Sequence, residues 1–494
     1  MTLGTSQPRI DAPGKVTGEA RYPADLPAHS NLHAVVAFSN QPHARMTAMN
    51  LSKAHAVPGV VEIFTAADVP VNEYGLTMLD QPVMVGLGDT GRSNVPADVS
   101  RWEADHIALV VAETLDAAHT AAEAIEVTWE QLPIVADIDA ALEDGAPLVH
   151  PETGSNDYLH YKIRKGDPSA AWDEAKAVVE ATYIVPHQEH SYLQPEAAVA
   201  YVDDEGRPTV EIAGQWTHED QMQIAHALDL ADEQVRIIYP AIGGAFGGRE
   251  DMRLQIVLAL AAMLLHERGE GRPIRSQWSR EESIVGHHKR HRGRIHAKWG
   301  ARSDGTLIAI EAEGYLDAGA YNYTTNKVLG NMHLTLGGPY RCENVRLDSY
   351  GVYTTTVPGG AFRGFGAPQG AFVAESQMNK LADVLGMDPV ELRRINLLED
   401  GDPGPSHTPL PSGVRIGGVV DIGTQASLVR LSNGNFLFLD SCQLDDRRAG
   451  ELEHLVAQRD GEIEAILNLH PFHTVHVTSM HERFPQARLY GTSR

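Results

Sequence analysis

The stretch VRIIYPAIGGAFGGRE, Val235 to Glu250, decides how the middle of this chain folds. An apolar run leads into four glycines around Phe246, and an almost uniformly apolar segment follows from Leu254 to Leu265. This pattern predicts a short strand, a glycine-rich loop and then a buried helix. Glycine permits positive φ angles, and the free N–H groups at a helix N-terminus bind anions. The loop is therefore either a ligand-free turn or an anion cradle.

A second loop of the same kind favours the cradle. The sequence GGAFRGFG, Gly359 to Gly366, again follows a predicted strand, Val345–Thr354, and precedes a predicted helix, Gln369–Leu385. Two facing glycine loops are suited to holding a flat, phosphorylated cofactor. The first loop lacks the lysine and hydroxyl of a Walker A motif and does not match GxGxxG, so neither type of nucleotide site is predicted.

Composition restricts the class of protein. The 494 residues suffice for about three domains, and the 43% hydrophobic content is that of a globular protein. A net charge of −26 argues against a nucleic-acid or anionic-membrane partner. The N-terminus lacks a signal-peptide pattern and no apolar run reaches membrane-spanning length, so we expect a soluble, cytoplasmic protein. With two cysteines, Cys342 and Cys442, the chain is not expected to hold an iron–sulfur cluster itself.

Changes in pattern along the chain predict its domain organisation. The turn-rich stretch Gly154–Ser169 marks a boundary, and a Pro- and Gly-rich stretch later in the chain is typical of a linker. Asn433-Gly434 predicts a hairpin turn near the start of the last part. The predicted parts are a small α+β unit at 1–150, a mixed α/β region at 165–402, a linker at 403–418 and a short α/β fragment at 419–494.

Two helices carry recognisable start signals. Asp220 precedes the predicted helix Gln221–Leu230 as a possible cap. Asp388 followed by Pro389 predicts a capped helix that begins with proline at its first position.

The segment Arg280–His296 is strongly basic in an otherwise acidic protein. It is either a solvated face or a patch for cofactor phosphates or an anionic substrate, since guanidinium groups bind such groups bidentately. Its histidines, His287, His288 and His291, have the chemistry of metal ligands, but the surrounding cations disfavour a metal ion. Gln215, at the end of a predicted strand, either meets a cofactor oxygen or lies on the surface.

A histidine cluster lies near the end of the chain, in NLHPFHTVHVTSMH. His470, His473 and His476 are candidate zinc ligands, but their spacing does not place them on one face of a helix or strand. A polar loop without metal is the alternative.

From about Pro8 to Asp402, these motifs resemble the molybdopterin-binding large subunit of the xanthine dehydrogenase/aldehyde oxidase family, the molybdenum hydroxylases. The resemblance is carried by RIDAPGKVTGEARYPADL, HQEHSYLQPEAAVA, IGGAFGGRE and PGGAFRGFGAPQ. It implies an α+β fold with an N-terminal α/β hammerhead domain at 1–150 and the first molybdopterin-binding domain at 165–402.

The same resemblance implies roles for individual residues. Molybdopterin, with its cytosine dinucleotide form as one option, would be bound by Gln215, Gly244, Phe246, Gly247 and Arg363. A small-molecule substrate would be held by Glu250, Arg290, Arg363 and Phe365. The implied reaction is hydroxylation of an aldehyde or N-heterocycle with water as the oxygen source. The implied partners are an iron–sulfur subunit and an FAD subunit, in a hetero-oligomer.

The sequence also departs from that family. The family's general-base glutamate lies far beyond the second loop and has no counterpart in this chain. The segment 419–494 instead weakly resembles the first half of a metallo-β-lactamase-like hydrolase. Three hypotheses follow: a truncated or fused hydroxylase subunit, a non-catalytic subunit that docks partners, and a metal-dependent hydrolase activity of the tail.

Overall fold

The computed structural model describes most of the chain up to residue 406 and short pieces beyond it. The described residues are 9–26, 31–88, 90–399, 401–406, 427–430, 436–439, 453–454, 456–457, 462–468, 485–486 and 488–491. The chain divides into two units. One comprises residues 1–338 and 342–381, and the other comprises 339–341 and 382–494.

Helices and strands alternate along the described ranges. The α-helices are α1 Ala12–Thr17, α2 Ser52–His55, α3 Leu115–Glu123, α4 Ile138–Leu142, α5 Pro168–Ala171, α6 Thr217–Leu228, α7 Gln255–Glu267, α8 Arg280–Val285, α9 Thr325–Thr335, α10 Ala367–Leu385 and α11 Pro389–Asn396. The strands of the first unit are β1 Leu32–Phe38, β2 Ala44–Asn50, β3 Val60–Phe64, β4 Val99–Ser100, β5 His106–Ala112, β6 Glu126–Gln131, β7 Asp157–Lys165, β8 Ala177–Val185, β9 Ala197–Val202, β10 Pro208–Ile212, β11 Arg236–Ile238, β12 Ile274–Gln277, β13 Lys289–Arg290, β14 Gly293–Ala301, β15 Leu307–Gly319, β16 Asn344–Tyr353 and β17 Gly359–Gly360. The second unit contains β18 Ser427–Arg430, β19 Phe436–Leu439, β20 Ile463–Asn468 and β21 Arg488–Gly491.

A mixed sheet joins the two regions that the sequence separates near residue 150. Its strand order is β11-β10-β9-β12-β1-β5-β3, so strands from before and after that point share one hydrogen-bonded layer. The junction is the parallel pairing of β1 with β12, in which Leu32 lies opposite Ile274. The predicted sequence boundary therefore does not divide the sheet.

Helix α7 forms the centre of the core against this sheet. It packs on β9 and β10, and Leu258 and Leu260 are completely buried. Full burial of each such side chain contributes about 1.5–3 kcal/mol. The helix is apolar on nearly all sides because α6 also packs on it, which confirms the predicted buried helix.

A second sheet of the first unit has the order β7-β16-β15-β14-β8. Its edge strand β7 occupies most of the stretch predicted to be turns, so that part of the prediction is wrong. The strand is polar because it lies at an edge, where partly exposed side chains such as Arg164 pair across to Asp348 of β16 at 2.8 Å. Few apolar residues are needed in such a position.

The predicted cap of α6 is also wrong. The helix begins at Thr217, three residues before Asp220, and the side chain of Asp220 is buried. Its Oδ2 accepts a hydrogen bond from the Tyr239 hydroxyl at 2.7 Å, and burial raises the pKa of Asp220 to about 7. The carboxyl therefore joins the helix to the strand-loop segment and does not cap it.

In the second unit, the capped helix is confirmed. Asp388 accepts hydrogen bonds from the backbone N–H groups of Val390 and Glu391, and Pro389 occupies the first helical position. Strands β18 and β19 are antiparallel, but the predicted turn at Asn433-Gly434 lies outside the described residues. The tail histidines and Cys442 also lie outside them. None of the helices in the described ranges combines the length and apolar character that crossing a lipid bilayer requires.

Candidate cofactor site

The two glycine-rich loops touch each other through their backbones. The N–H of Arg363 in the second loop donates to the carbonyl oxygen of Phe246 in the first, at 2.9 Å. A Cβ atom on Gly247 would lie 2.8 Å from the carbonyl carbon and oxygen of Ala361, and Gly247 has φ 97°. The close approach of the loops therefore requires glycine at this position.

Each loop holds an aromatic residue in the left-handed region. Phe246 has φ 55° and Phe365 has φ 51°. Such a conformation costs a non-glycine residue about 1–2 kcal/mol, and strain of this kind clusters at ligand sites. Phe246 also leaves 48% of its surface exposed. With these backbone conformations, the side chains of Phe246 and Phe365 line the same cavity.

The loops differ in their relation to the helices that follow. Helix α10 begins directly after Gly366, so the second loop lies at a helix N-terminus as predicted. Helix α7 begins only at Gln255, so the prediction of a helix N-terminus at the first loop is wrong. Instead, the buried Arg249 holds the first loop from beneath, with Nε donating to the carbonyl of Gly244 at 3.0 Å and the guanidinium stacked over Tyr192.

Gln215 is fixed in orientation by the first loop. Its Oε1 accepts hydrogen bonds from the N–H groups of Gly247 at 3.0 Å and Arg249 at 3.2 Å. This assignment leaves the Nε2 amide group as a donor, and no hydrogen bond ties it to another described residue. The side-chain oxygen of Gln215 is therefore hydrogen-bonded to the loop, and its NH₂ group is available to donate to a ligand.

The loops and Gln215 surround a cavity of about 370 Å³. It is lined by Gln215, Trp216, Phe246, Gly247, Glu250, Ala361, Phe362, Arg363, Gly364 and Phe365. The structure thus brings together Gln215, Phe246, Gly247, Glu250, Arg363 and Phe365 from the predicted site. The walls combine aromatic faces with a few polar groups, which is the usual character of a small-molecule site.

Glu250 is the acidic group of this cavity. Its Oε2 is buried without a hydrogen-bond partner among the described residues. Burial raises the pKa of Glu250 to about 7, and the positive charge of Lys327 opposes that rise. Near neutral pH the carboxyl group therefore exists in both forms, and its protonated form offers a hydrogen-bond donor to a ligand.

Two predicted site residues, Arg290 and Gly244, do not line the cavity. The guanidinium of Arg290 stacks 4.0 Å from the ring centroid of Phe362, and its Nη2 donates to the carbonyl of Arg363 at 2.9 Å. Gly244 contributes its carbonyl to Arg249 and adopts φ 105°. These contacts favour a supporting role for both residues over direct contact with a substrate.

The centre of the basic segment is buried, so its interpretation as a solvated face is wrong. His287, His288 and His291 are fully buried. Nε2 of His288 and Nε2 of His190 both lie within hydrogen-bond distance of the carbonyl oxygen of Ala361, at 3.0 and 2.7 Å. These imidazoles therefore pack against the backbone of the second loop. The contact is close, since a Cβ on Gly360 would lie 2.3 Å from the His288 ring. Burial lowers the pKa of His288 and keeps it neutral.

Sequence reasoning missed three residues near the cavity. Trp216 follows Gln215 directly and Phe362 lies within the quoted second loop, so proximity to those motifs was the available signal. Lys327 lies on α9, and its Nζ is 4.7 Å from the ring centroid of Trp216. No local pattern connects this lysine with the loops, because only the tertiary fold brings them together.

Glu250→Gln is expected to change how stability depends on pH. The pKa of Glu250 is raised above its ordinary value of 4.5, so the folded state binds the additional proton between about pH 4.5 and 7. Raising the pH through that range therefore lowers the free energy of unfolding of the wild type, on the order of 1 kcal/mol after solvent screening. Glutamine cannot ionise, so the variant should lack this decrease.

The measurement is urea denaturation of both proteins at pH 5 and pH 8. The exposed Glu123, at the end of α3, provides the matched control, since Glu123→Gln changes the same chemical group outside the cavity. An equal pH dependence in wild type and Glu250→Gln would show that Glu250 titrates normally in the folded protein.

Comparisons with known proteins identify the family of the chain. Residues 149–397 match the molybdopterin cofactor-binding domain family. Residues 17–133 match the a/b hammerhead domain of aldehyde oxidase and xanthine dehydrogenase. The chain therefore belongs to the family of molybdopterin-binding large subunits of xanthine dehydrogenase and aldehyde oxidase type, and its α+β fold is that of this family, as the sequence predicted.

Individual relatives define the extent of the match. The chain is 36% identical over 402 residues to the nicotinate dehydrogenase large molybdopterin subunit of Eubacterium barkeri, covering 81% of this chain and 90% of that one. It is 35% identical to a probable xanthine dehydrogenase subunit of Bacillus subtilis, covering 81% of this chain but 51% of that one. The aldehyde oxidoreductase of Desulfovibrio gigas superposes with a TM-score of 0.78 at 27% identity, covering 90% of this chain and 53% of that one. The chain thus spans nearly all of one relative and about half of the other two.

Proposed function

We propose that this chain is the molybdopterin-binding part of a molybdenum hydroxylase that oxidises an aldehyde or an N-heterocycle. The observation that carries the proposal is the cavity between the two loops, where the Gln215 amide, Glu250 and two strained phenylalanines converge. When bound, molybdopterin would supply two-electron oxidation with water as the oxygen source. The relatives named above, a nicotinate dehydrogenase subunit, a probable xanthine dehydrogenase subunit and an aldehyde oxidoreductase, support the proposal.

The residues of the cavity fit a molybdopterin. The Nε2 group of Gln215 would donate to an oxygen atom of the cofactor, because its Oε1 is held by the first loop. Phe246 and Gly247 present loop backbone at the cavity wall, and the exposed Arg363 places a cation there. A guanidinium favours the anionic groups of such a cofactor or substrate.

Glu250 and the aromatic side chains would then hold the substrate. At neutral pH the protonated Glu250 donates its Oε2 proton to a ring nitrogen or a carbonyl oxygen, and the ionised form accepts from an N–H group. Phe365 contributes an apolar face against a planar ring. The mixed protonation suits a polar heterocycle better than a simple aliphatic aldehyde.

The remaining parts of the enzyme come from outside the described residues in this proposal. No described residue is assigned as the general base that the reaction needs, so in this proposal the base comes from outside the described residues. Electrons leave to an iron–sulfur subunit and an FAD subunit, which makes the assembly a hetero-oligomer in the cytoplasm. The cofactor is either molybdopterin itself or its cytosine dinucleotide form.

Expression of the full chain in a host that makes the cofactor tests the proposal. Purified protein should contain molybdenum and a pterin, measured by elemental mass spectrometry and by fluorescence of the oxidised pterin. Release of cytidine monophosphate on acid hydrolysis would identify the dinucleotide form. Protein that captures co-expressed iron–sulfur and FAD subunits but contains no molybdenum would reject cofactor binding and favour the docking hypothesis.

The zinc-binding tail stays a separate prediction, because His470, His473 and His476 lie outside the described residues. Replacing His470 and His473 by Ala and measuring zinc would test it.

A further inference from the structure

We propose that Glu189, His190 and His287 form a binding site for a divalent transition-metal ion of the zinc type, beneath the two loops. One ligand atom of each residue lies within 4.8 Å of those of the other two. Two imidazoles and a carboxylate form a common zinc ligand set, with water in the fourth position. The proposal is independent of molybdopterin, since none of the three residues lines the cofactor cavity.

Hydrogen bonds to the backbone determine which ring nitrogens face the site. Nε2 of His190 donates to the carbonyl oxygen of Ala361, and Nδ1 of His287 donates to that of Ser283. The opposite nitrogens, Nδ1 of His190 and Nε2 of His287, therefore carry lone pairs in the neutral rings. Nδ1 of His190 is buried without a hydrogen bond to a described residue, and Nε2 of His287 is buried with Oε1 of Glu189 at 3.0 Å as its polar neighbour.

This arrangement is the one that metal-binding histidines adopt. Such a histidine donates its second ring N–H to a backbone carbonyl or carboxylate, which fixes the ring and raises its basicity. His287 is fully buried and His190 is 5% exposed, so water cannot freely satisfy their open nitrogens.

Glu189 supplies the negative charge of the site. Its Oε1 lies 3.0 Å from Nε2 of His287, where two lone pairs would repel each other unless a proton or a metal ion lies between them. The same oxygen accepts from the N–H of Ser191 at 3.1 Å, which orients the carboxylate. Its Oε2 lies 2.7 Å from Nζ of Lys289, which also donates to the carbonyls of Ile284 and His287. Oε1 is therefore the oxygen that faces a metal ion, and Glu189 keeps enough exposure to admit one.

The site would connect two segments that support the loops. Glu189 and His190 precede β9, His287 follows α8, and the His190 ring contacts Phe362 at a centroid distance of 4.5 Å. Gly248 packs on the same ring, since a Cβ there would lie 2.9 Å from it. A bound ion would hold His190 in place and thereby both loops.

The test uses the full-length chain, stripped with a chelator and titrated with Zn²⁺ alone against a chromophoric competitor. The titration is done in a His470→Ala/His473→Ala background, which removes the separately predicted tail site, and we expect one tightly bound zinc per chain there. Glu189→Gln or His287→Gln should weaken binding by about 100-fold or more, because each removes a ligand. Zinc should raise the melting temperature of the wild type but not of these variants.

His291→Gln is the matched control, because His291 is equally buried on the same segment but pairs with Thr325 at 2.8 Å. This variant should keep the zinc affinity of the wild type. Equal affinities in wild type, Glu189→Gln and His287→Gln, or no uptake by the wild type, would overturn the proposal.

Lys289→Met provides a test that does not depend on whether His287→Gln folds. Removing the neighbouring cation should tighten zinc binding by about tenfold or more, since like charges at this distance repel strongly in a buried site. Unchanged or weaker binding in Lys289→Met would count against a metal ion beside Glu189.

Discussion

Gly247→Ala is expected to destabilise the protein by about 3 kcal/mol and to reduce bound molybdenum at least tenfold. Alanine at φ 97° is strained, and its Cβ would lie 2.8 Å from the backbone of Ala361. The two loops must then separate, which breaks the hydrogen bond from Arg363 to Phe246. The measurements are urea denaturation and molybdenum per chain after expression in a host that makes the cofactor.

Gly271→Ala is the matched control for this substitution. Gly271 has no atom within 4 Å of the position that a Cβ would occupy. Its replacement should therefore leave both stability and molybdenum content at the wild-type level. Wild-type molybdenum in Gly247→Ala would show that contact between the loops is not needed for cofactor binding.

Gln215→Glu is expected to preserve the fold but to reduce molybdenum content about tenfold or more. The change keeps an oxygen that accepts from Gly247 and Arg249, and it replaces the Nε2 donor by a negatively charged oxygen. Stability should stay within about 0.5 kcal/mol of the wild type, because both loop hydrogen bonds remain. Gln215→Ala removes the acceptor as well, so it should also destabilise the loop, by about 1–3 kcal/mol.

Gln221→Glu gives the same chemical change at a structural amide. Nε2 of Gln221 donates to the carbonyls of Asp232 and Val235, away from the cavity. This variant should lose about 1–3 kcal/mol of stability and keep its molybdenum. A full complement of molybdenum in Gln215→Glu would exclude donation from Nε2 to the cofactor.

Elements with strong local signals were predictable. The apolar run of α7 and the Asp388-Pro389 start of α11 each carry enough information within a few residues. Strand β7 does not, because an edge strand needs neither apolar alternation nor β-branched residues. The burial of His288 was also beyond local reasoning, since its carbonyl partner, Ala361, lies more than seventy residues away in the sequence.

The residues of the candidate site also divide into those with a local sequence signal and those whose position depends on tertiary contacts. The glycine loops and Gln215 were predictable because each lies within a recognisable motif, and the structure places them around one cavity. The position of Arg290 behind the second loop was not, because a sequence does not show toward which side of a strand pair a guanidinium turns. The raised pKa of Glu250 likewise results from the walls that tertiary folding builds around it.

The pairing of β1 with β12 has a consequence for synthesis on the ribosome. Leu32 leaves the ribosome about 240 residues before its partner Ile274, which amounts to roughly ten to fifty seconds of translation. During that interval the nascent chain exposes an unpaired edge of an apolar strand, a template for aggregation. Chaperone occupancy on the nascent chain should therefore be highest while the edge of β1 is unpaired and should fall once Ile274 has emerged.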